Sequence, residues 1–577
     1  MLHHSACVAA ALALGLADPA LAQSPCVTTI VYVNTPGHPT NVVPGLGVPF
    51  DPSSTLAFER PIVSGNGLQF GINALADTLT TDDDVLIVNG VVVLREGSPA
   101  PWNPAGENVG TIDSEFGLND AGDLLIGNNT SLTTNDDVVA LFSGGTWTEL
   151  AREAGLISTI VPGLVGDGGN TGTWDDAIDT VRLSNVGFFW RAEGVDNLAT
   201  SPTTLNDEIL VLGAGLALQK GVDVPAGQAG GATNAYENFT LEQCFLSPDG
   251  SIYIFEGDLL GATTGDEVIV VNGVVVAQEG AILPGSSFVN GVDSAGIVKV
   301  WVDHANNWYA RGNNDLTEQD WVLRNGVVVE TSDALQEIVA GSGEHWSDTA
   351  FSDCFFAFDG NSLGHYIVGG VTDNVDLTRN GVIVFRDGLG NDYVVVRESD
   401  PVDLDGNGLF DDDCFYNTFG NDDALLLDDG TVIFTASLKN GAGTASGQGV
   451  FRLTPTSASC TFRNGSGINP AALSCTTLPI VGATWTLDVS YGPNTLGTFL
   501  YADATPIPAF PIFGGELLIA PTAFQLGSSF GAPAPTNLAL PYGYQGLLFS
   551  LQAIRLDFDG VNISLVLTNA QDAALGS

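Results

Sequence analysis

Short apolar runs rich in Val, Ile and Leu alternate along the chain with tight polar turns, and the same pair of runs returns several times. Residues Asp84 to Gly97 read as a β-branched run, then Asn89 and Gly90, then a second β-branched run. Glu267 to Gly280 repeats them almost position for position around Asn272 and Gly273. Trp321 to Glu330 carries the pattern around Asn325 and Gly326, and Leu377 to Phe385 around Asn380 and Gly381. Degenerate copies lie at Val138 to Leu150, with Gly144 and Gly145, and at Ile209 to Gln219, with Gly213. Asn-Gly accepts positive φ at both central positions, as a two-residue type I′ turn requires, so each copy predicts a β-hairpin.

Upstream of each hairpin lies a second recurring element, a Gly or Asn turn followed by an aliphatic or aromatic strand, as in Ser247 to Phe255 and Leu427 to Phe434. Its turn positions, Gly67, Gly122, Gly187, Gly250, Asn307, Gly360 and Gly430, recur at intervals of roughly sixty residues, a period that marks a repeat architecture. Seven anchors predict seven units of about four strands, the content of one β-propeller blade. Units this small cannot each bury a core alone, and a solenoid coil is usually shorter. The expected fold class is therefore all-β, with a seven-bladed β-propeller over residues 23–456. The spare strand Val27 to Val33 is expected to complete the last blade beside Gly449 to Leu453, which removes exposed sheet edges.

A polar linker, Thr454 to Ser459, is followed by a change of composition: acidic residues thin out while Pro, Leu and Phe rise. Strand-like runs at Trp485 to Val489, Gly497 to Tyr501, Glu516 to Ile519, Gly546 to Gln552 and Ile563 to Leu567 predict a C-terminal β-sandwich over residues 457–577. Adhesion or anchoring is one reading of this domain; a passive cap is the other.

The Asp-Gly strand signals and Val-Asn-Gly-Val-Val-Val hairpins between Ile62 and Leu453 resemble uncharacterised secreted bacterial tandem-repeat proteins of propeller type. Arg463 to Pro470, Leu540 with Pro541, and Leu567 to Asn569 look like a module that closes many secreted repeat proteins of this kind. The resemblance implies fold and export. It implies no particular activity, and strict kelch and WD signatures are missing.

Residues 1–22 read as a signal peptide: an apolar run from Ala6 to Leu16 precedes Ala20, Leu21 and Ala22, the small-x-small pattern before a cleavage site. The mature chain would start near Gln23 and reside outside the cytoplasm, secreted or at the cell surface, in an extracellular or periplasmic setting. No later stretch supplies the roughly eighteen uninterrupted apolar residues of a membrane span. With 67 Asp and Glu against 16 Lys and Arg, the formal charge is −51, which repels phosphate backbones and anionic lipid and argues against nucleic acid or membrane partners. Cys7 lies in the leader. The other six cysteines, Cys26, Cys244, Cys354, Cys414, Cys460 and Cys475, permit disulfides in an exported chain, and Cys460 with Cys475 would close a short loop. No Cys-x-x-Cys pair supports zinc or redox chemistry.

The sharpest motif is Asp403 to Asp411, which reads D-x-D-x-N-G-x-x-D. Ca²⁺ takes about six to eight hard oxygens. Asp403, Asp405, Asn407 and Asp411, with the Leu409 carbonyl, can converge on one ion if Gly408 turns the loop; Asp400, Asp412 and Asp413 add charge. An EF-hand needs Glu at the twelfth position, which here is Cys414, and no helices flank the segment. The spacing is similar to the calcium loops of FG-GAP, integrin-type propellers and implies a structural Ca²⁺. An acidic turn without an ion fits the same residues.

Catalytic signals are poor. Gly527 to Gly531 matches G-x-S-x-G but lies in a Pro-rich β segment without the strand–turn–helix context of a nucleophile elbow. His38, His304, His345 and His365 form no His-Glu-x-x-His pair. Acidic residues ahead of the hairpins, at Asp82 to Asp84, Asp136, Asp137, Asp207, Glu208, Asp266, Glu267 and Asp320, recur from unit to unit, as turn chemistry does. Trp147, Trp174, Trp190, Trp301, Trp308, Trp321 and Trp346 suit packing between blades or stacking on sugar rings. The expected function is a calcium-stabilised secreted or cell-surface binding or structural protein with an extracellular ligand, glycan or protein, and no catalysis. The alternative is an extracellular polysaccharide hydrolase or lyase on the same scaffold.

Overall fold

The computed structural model describes residues 26–576 except 55, 104–105, 166–170, 176, 194–205, 262–263, 315–318, 333–335, 340–341, 348–353, 388–391, 406–411, 456–457, 480–483, 504–505 and 541–547. The signal-peptide reading of residues 1–22 lies outside them. The protein is all-β. Short 3-10 turns occur at Ile157–Thr159 and Ala229–Gly231, and no helix among the described residues is long and apolar enough to cross a membrane. The chain divides into two compact units, one of Thr29–Gly390 and Val396–Arg452, the other of Met1–Thr28, Asn391–Val395 and Leu453–Ser577.

The strands run β1 (Cys26–Val33), then β2 (Phe58–Val63), β3 (Phe70–Leu75), β4 (Asp84–Val88) and β5 (Val91–Arg95) in a first sheet. The second holds β6 (Val109–Leu118), β7 (Leu124–Thr130), β8 (Val138–Ser143) and β9 (Thr146–Arg152). The third holds β10 (Ala177–Leu183), β11 (Phe188–Glu193), β12 (Ile209–Val211) and β13 (Ala217–Gln219). The fourth holds β14 (Cys244–Leu246), β15 (Tyr253–Asp258), β16 (Glu267–Val271) and β17 (Val274–Gln278). The fifth holds β18 (Val292–Val302), β19 (Trp308–Asn314), β20 (Gln319–Arg324) and β21 (Val327–Thr331). The sixth holds β22 (Phe355–Gly360), β23 (Tyr366–Val371), β24 (Gly381–Arg386) and β25 (Tyr393–Arg397). Three strands of the seventh follow, β26 (Phe415–Leu426), β27 (Val432–Lys439) and β28 (Ala445–Pro455), and β1 supplies its fourth edge in the order β1-β28-β27-β26.

Three Asn-Gly turns adopt the left-handed conformation expected of them: Asn89 and Gly90, Asn272 and Gly273, and Asn325 and Gly326 all have positive φ. The Asn has a second role. Its Oδ1 accepts the amide of the adjoining strand, from Phe70 at 2.9 Å, Tyr253 at 2.9 Å and Trp308 at 3.0 Å, so the side chain ties the hairpin to the strand beside it. The fourth copy departs from expectation. Gly381 opens β24 and pairs with Val371, so Asn380 stands just ahead of a strand and the dipeptide forms no hairpin turn. The anchor placed at Gly360 is likewise the last residue of β22; the sixth turn is closed by Gly364, at φ 86°.

Cores lie between consecutive sheets. Leu86, Val88, Phe116 and Ile126 join the first and second, Leu125, Val139, Trp174 and Trp190 the second and third, and Phe245, Ile269, Trp308 and Trp321 the fourth and fifth. Tyr32, Phe58, Ile72, Leu425, Ile433 and Val450 share one core between the seventh sheet and the first. The turns that close the leading strands also hand hydrogen bonds from sheet to sheet. Asn66 N donates to Asp120 Oδ1, Asp120 N to Asn185 Oδ1, Asn185 N to the Pro248 carbonyl, Asp249 N to Asn306 Oδ1, and Ser362 N to Asp428 Oδ1, all between 2.7 and 3.0 Å.

The second unit contains β29 (Ser459–Arg463), β30 (Leu473–Cys475), β31 (Thr484–Val489), β32 (Thr495–Asp503), β33 (Pro506–Ile512), β34 (Gly515–Ile519), β35 (Phe524–Phe530), β36 (Thr536–Ala539), β37 (Leu548–Phe558) and β38 (Ile563–Ala574). They form a five-stranded sheet, β29-β38-β37-β32-β35, a three-stranded sheet, β30-β31-β36, and the hairpin β33-β34. Leu473, Trp485 and Leu487 of the smaller sheet bury against Leu500, Leu551 and Ala573 of the larger. A disulfide joins Cys460 to Cys475, as their spacing suggested.

Candidate functional site

Among the charged clusters of the described residues, two stand out. The first is the acidic loop between β25 and β26. The carboxylates of Asp403, Asp405 and Asp412 offer oxygens that lie within 4.8 Å of one another, a set of hard donors that suits Ca²⁺. Asp412 Oδ2 also accepts the amides of Leu404 at 2.7 Å and Asp405 at 3.0 Å, which curls the loop back on itself. His38 Nε2 meets the Leu404 carbonyl, and Gly441 N donates to Asp413 Oδ1 at 2.6 Å. Of the expected ligands, Asp403 and Asp405 come together here, joined by Asp412; Asn407, Leu409 and Asp411 lie outside the described residues.

The second place went unnoticed in the sequence. The leading strands of the seven sheets, β2, β6, β10, β14, β18, β22 and β26, all contribute to the wall of one cavity of about 100 Å³. Ile62, Phe116, Leu183, Phe245 and Trp301 make much of it apolar, while Arg60, Glu115, Arg182, Asp303, His304 and Asp359 supply charge and hydrogen-bonding groups. Phe245 and Trp301 meet with ring centroids 4.9 Å apart.

Arg60, at φ 47°, sits in a bulge between Glu59 and Ile62 that breaks the register of β2 with β3. Thr180, Glu242 and Asp422 are also left-handed, at 52°, 63° and 60°, in or just ahead of β10, β14 and β26. Left-handed backbone is costly for residues with a Cβ, and its clustering is a recognised companion of function. Here it brings charges together. Arg60 makes ion pairs with Glu115 and Glu242, and Arg182 pairs with Glu115 while its guanidinium lies 4.2 Å from the centre of the Phe245 ring. Lys299 Nζ lies 3.7 Å from Asp422 Oδ2, and Arg311 reaches Asp422 Oδ1 at 3.4 Å. Burial pulls the Lys299 ammonium below its ordinary value; Asp422 opposes that effect, while Arg60, Arg182 and Arg311 add to it.

The other end of the cavity carries buried acids. Asp303 Oδ1 accepts the amides of Ala305 at 2.9 Å and Asn307 at 2.7 Å, and its Oδ2 accepts from Asn307 Nδ2 at 2.8 Å and the Tyr309 hydroxyl at 3.1 Å. Asp359 accepts from Leu426 N at 2.7 Å and from the Trp301 indole at 3.3 Å. Burial raises both carboxyls above their usual range, and the Asp303 charge pushes Asp359 further. His304 Nε2 lies 3.3 Å from Asp428 Oδ1.

No family model matches the chain, and no curated protein matches it. Among solved structures, a fungal alcohol oxidase of the AA5 family in complex with copper is 12% identical, covering 94% of this chain and 98% of its own, at a TM-score of 0.30. A protein of unknown function from Dyadobacter fermentans is 10% identical over 74% of this chain and 99% of its own, at 0.23. A subtype N11 neuraminidase-like protein of A/flat-faced bat/Peru is 8% identical over 69% and 86%, at 0.17. Likeness at this level transfers no activity to this chain.

Proposed function

We propose that this chain is an exported binding protein, secreted or held at the cell surface, with its seven sheets arranged as a seven-bladed β-propeller, followed in the chain by a C-terminal β-sandwich. Its extracellular ligand, glycan or protein, binds where the leading strands converge, and a Ca²⁺ held by Asp403, Asp405 and Asp412 stiffens the loop ahead of the last sheet. One observation carries the reading: a single cavity is walled by the leading strands of all seven sheets, with charged groups from separate sheets focused on it. The shared core between the seventh sheet and the first supports the ring.

A hydrolase or lyase draws on Asp303 and Asp359, two buried carboxyls in the same cavity wall. Their oxygens already hold turn and strand amides, so they act as buttresses of the backbone, and binding without turnover is the better reading. Glycan-array binding and a polysaccharide turnover screen, each with and without EDTA, separate the two; turnover would replace the binding reading. For the ion, Asp405→Ala should lower the melting temperature in Ca²⁺. A wild-type melt that EDTA leaves unmoved refutes the calcium site.

A further inference from the structure

Cations are scarce in this chain, 16 against 67 acidic residues, and four of them lie close enough to feel one another's charge, with Arg60 and Arg182 in the wall of the cavity. Arg60, Arg182, Lys299 and Arg311 come from the first, third and fifth sheets, and the last three are largely buried, their side chains 12%, 9% and 3% exposed. The acids that face them differ. Glu115 is 5% exposed and held by two arginines; Asp422 is shared by Lys299 and Arg311. Glu242 is 43% exposed, and its carboxylate reaches in from solvent to Arg60. Its backbone is fixed by a hydrogen bond from its own amide to Thr180 Oγ1 at 3.1 Å. Among the described residues the buried Lys299 ammonium pairs with Asp422, which at 3.7 Å lies beyond hydrogen-bond reach; the ammonium stands 5.8 Å from the centre of the Phe245 ring and is felt by the Glu256 carboxyl.

A buried ammonium with so little satisfaction, beside guanidinium groups whose planar forks match a carboxylate, describes a receptor for one more anion. We propose that this cluster binds the carboxylate of a uronic acid residue in an acidic glycan, and that Glu242 occupies the carboxylate's place on Arg60 until the ligand arrives. The wall beside Arg60 and Arg182 argues for a sugar: the partly exposed Trp301, backed by the buried Phe245, gives a ring face an aromatic surface. This inference rests on the binding reading above and adds the chemical class of the ligand and a self-occupied ground state.

Calorimetric titration with glucuronate, with glucose as its neutral counterpart, tests it on the wild-type chain, Glu242→Gln and Lys299→Met, each checked for an unchanged melt. Glucuronate should bind the wild type and glucose should not; Glu242→Gln should tighten glucuronate about tenfold and Lys299→Met weaken it at least as much. Glu242 is exposed, so its variant keeps the test decisive if Lys299→Met fails to fold. Equal binding of glucose and glucuronate, or no gain in Glu242→Gln, overturns the proposal. So does a short Asp-rich peptide that binds where glucuronate does not. A neutral glycan captured on the array leaves the binding reading standing and removes this inference alone.

Discussion

Glu256 gives the most direct check on the interior electrostatics. It lies in β15, 8% exposed, where its carboxylate accepts a hydrogen bond from Thr240 Oγ1 at 3.2 Å. Burial, reinforced by the Glu267 charge, pushes its pKa from 4.5 up to about 8. In the unfolded chain the same carboxyl ionises near its ordinary value, so this group contributes full stability below about pH 4.5, and that contribution is lost as pH rises through about 8. Each pH unit in that window is worth about 1.4 kcal/mol, so the three units between pH 5 and pH 8 amount to roughly 4 kcal/mol. At about 2.1 cal/mol/K per residue, a unit of roughly 400 residues has an unfolding entropy near 0.8 kcal/mol per degree, and the loss becomes a fall of about 5 °C. Glu256→Gln keeps the shape and an acceptor for Thr240 but cannot ionise. Thermal melts in EDTA at pH 5 and pH 9 should show a fall in melting temperature that is about 5 °C smaller in the variant than in the wild type. Parallel pH profiles for the two proteins would refute the reasoning.

Packing between the second and third sheets predicts that Gly117→Ala destabilises by about 1–3 kcal/mol, because a Cβ there would stand 2.3 Å from Leu183 N and 2.7 Å from Leu183 Cβ. Gly187→Ala, with nothing within 4 Å, is the control in the same denaturant titration, and equal midpoints would sink the claim. The Cys460–Cys475 bridge spans 15 residues, and closing a loop of that length is worth about 3 kcal/mol. Replacing both cysteines by Ser should therefore cut hydrogen-exchange protection in β30; unchanged protection would show that the bridge adds nothing.

The hairpins were legible in the sequence because a type I′ turn is local chemistry: Asn89, Asn272 and Asn325 each need only a following Gly and flanking apolar runs. Asn380 and Gly381 form the same dipeptide, yet Gly381 opens a strand, since strand pairing with β23 decides the backbone there. Val27 to Val33 was recognisable as a spare edge because the repeats left it unpaired in number, and it does complete the seventh sheet. In the acidic loop, spacing identified Asp403 and Asp405, whereas Asp412 joins them through the way the loop curls. The charged cluster was illegible for a different reason. Arg60, Glu115, Arg182, Glu242, Lys299 and Asp422 sit in separate repeats, and only the packing of the sheets on one another brings them within reach. A usable signal existed all the same: in a chain so poor in cations, Arg60, Arg182 and Lys299 each interrupt an apolar strand just ahead of a turn anchor.

That interruption explains why the leading strands depart from regular β structure. A regular strand would alternate its side chains between faces, and a charged residue in the wrong phase would enter a core between sheets. The left-handed bulges at Arg60 and Asp422 take each out of that phase, at about 1–3 kcal/mol per residue. Register shifts recur in β6, β10, β18 and β22 as well. Left-handed residues stand within three leading strands, at Arg60, Thr180 and Asp422, and the fold gives up stability at each. Inter-sheet cores built on Trp190, Trp321 and Phe58 offset the loss. A purely structural assembly would gain by regularising these strands, so the bulges at Arg60 and Asp422 fit the binding role proposed above.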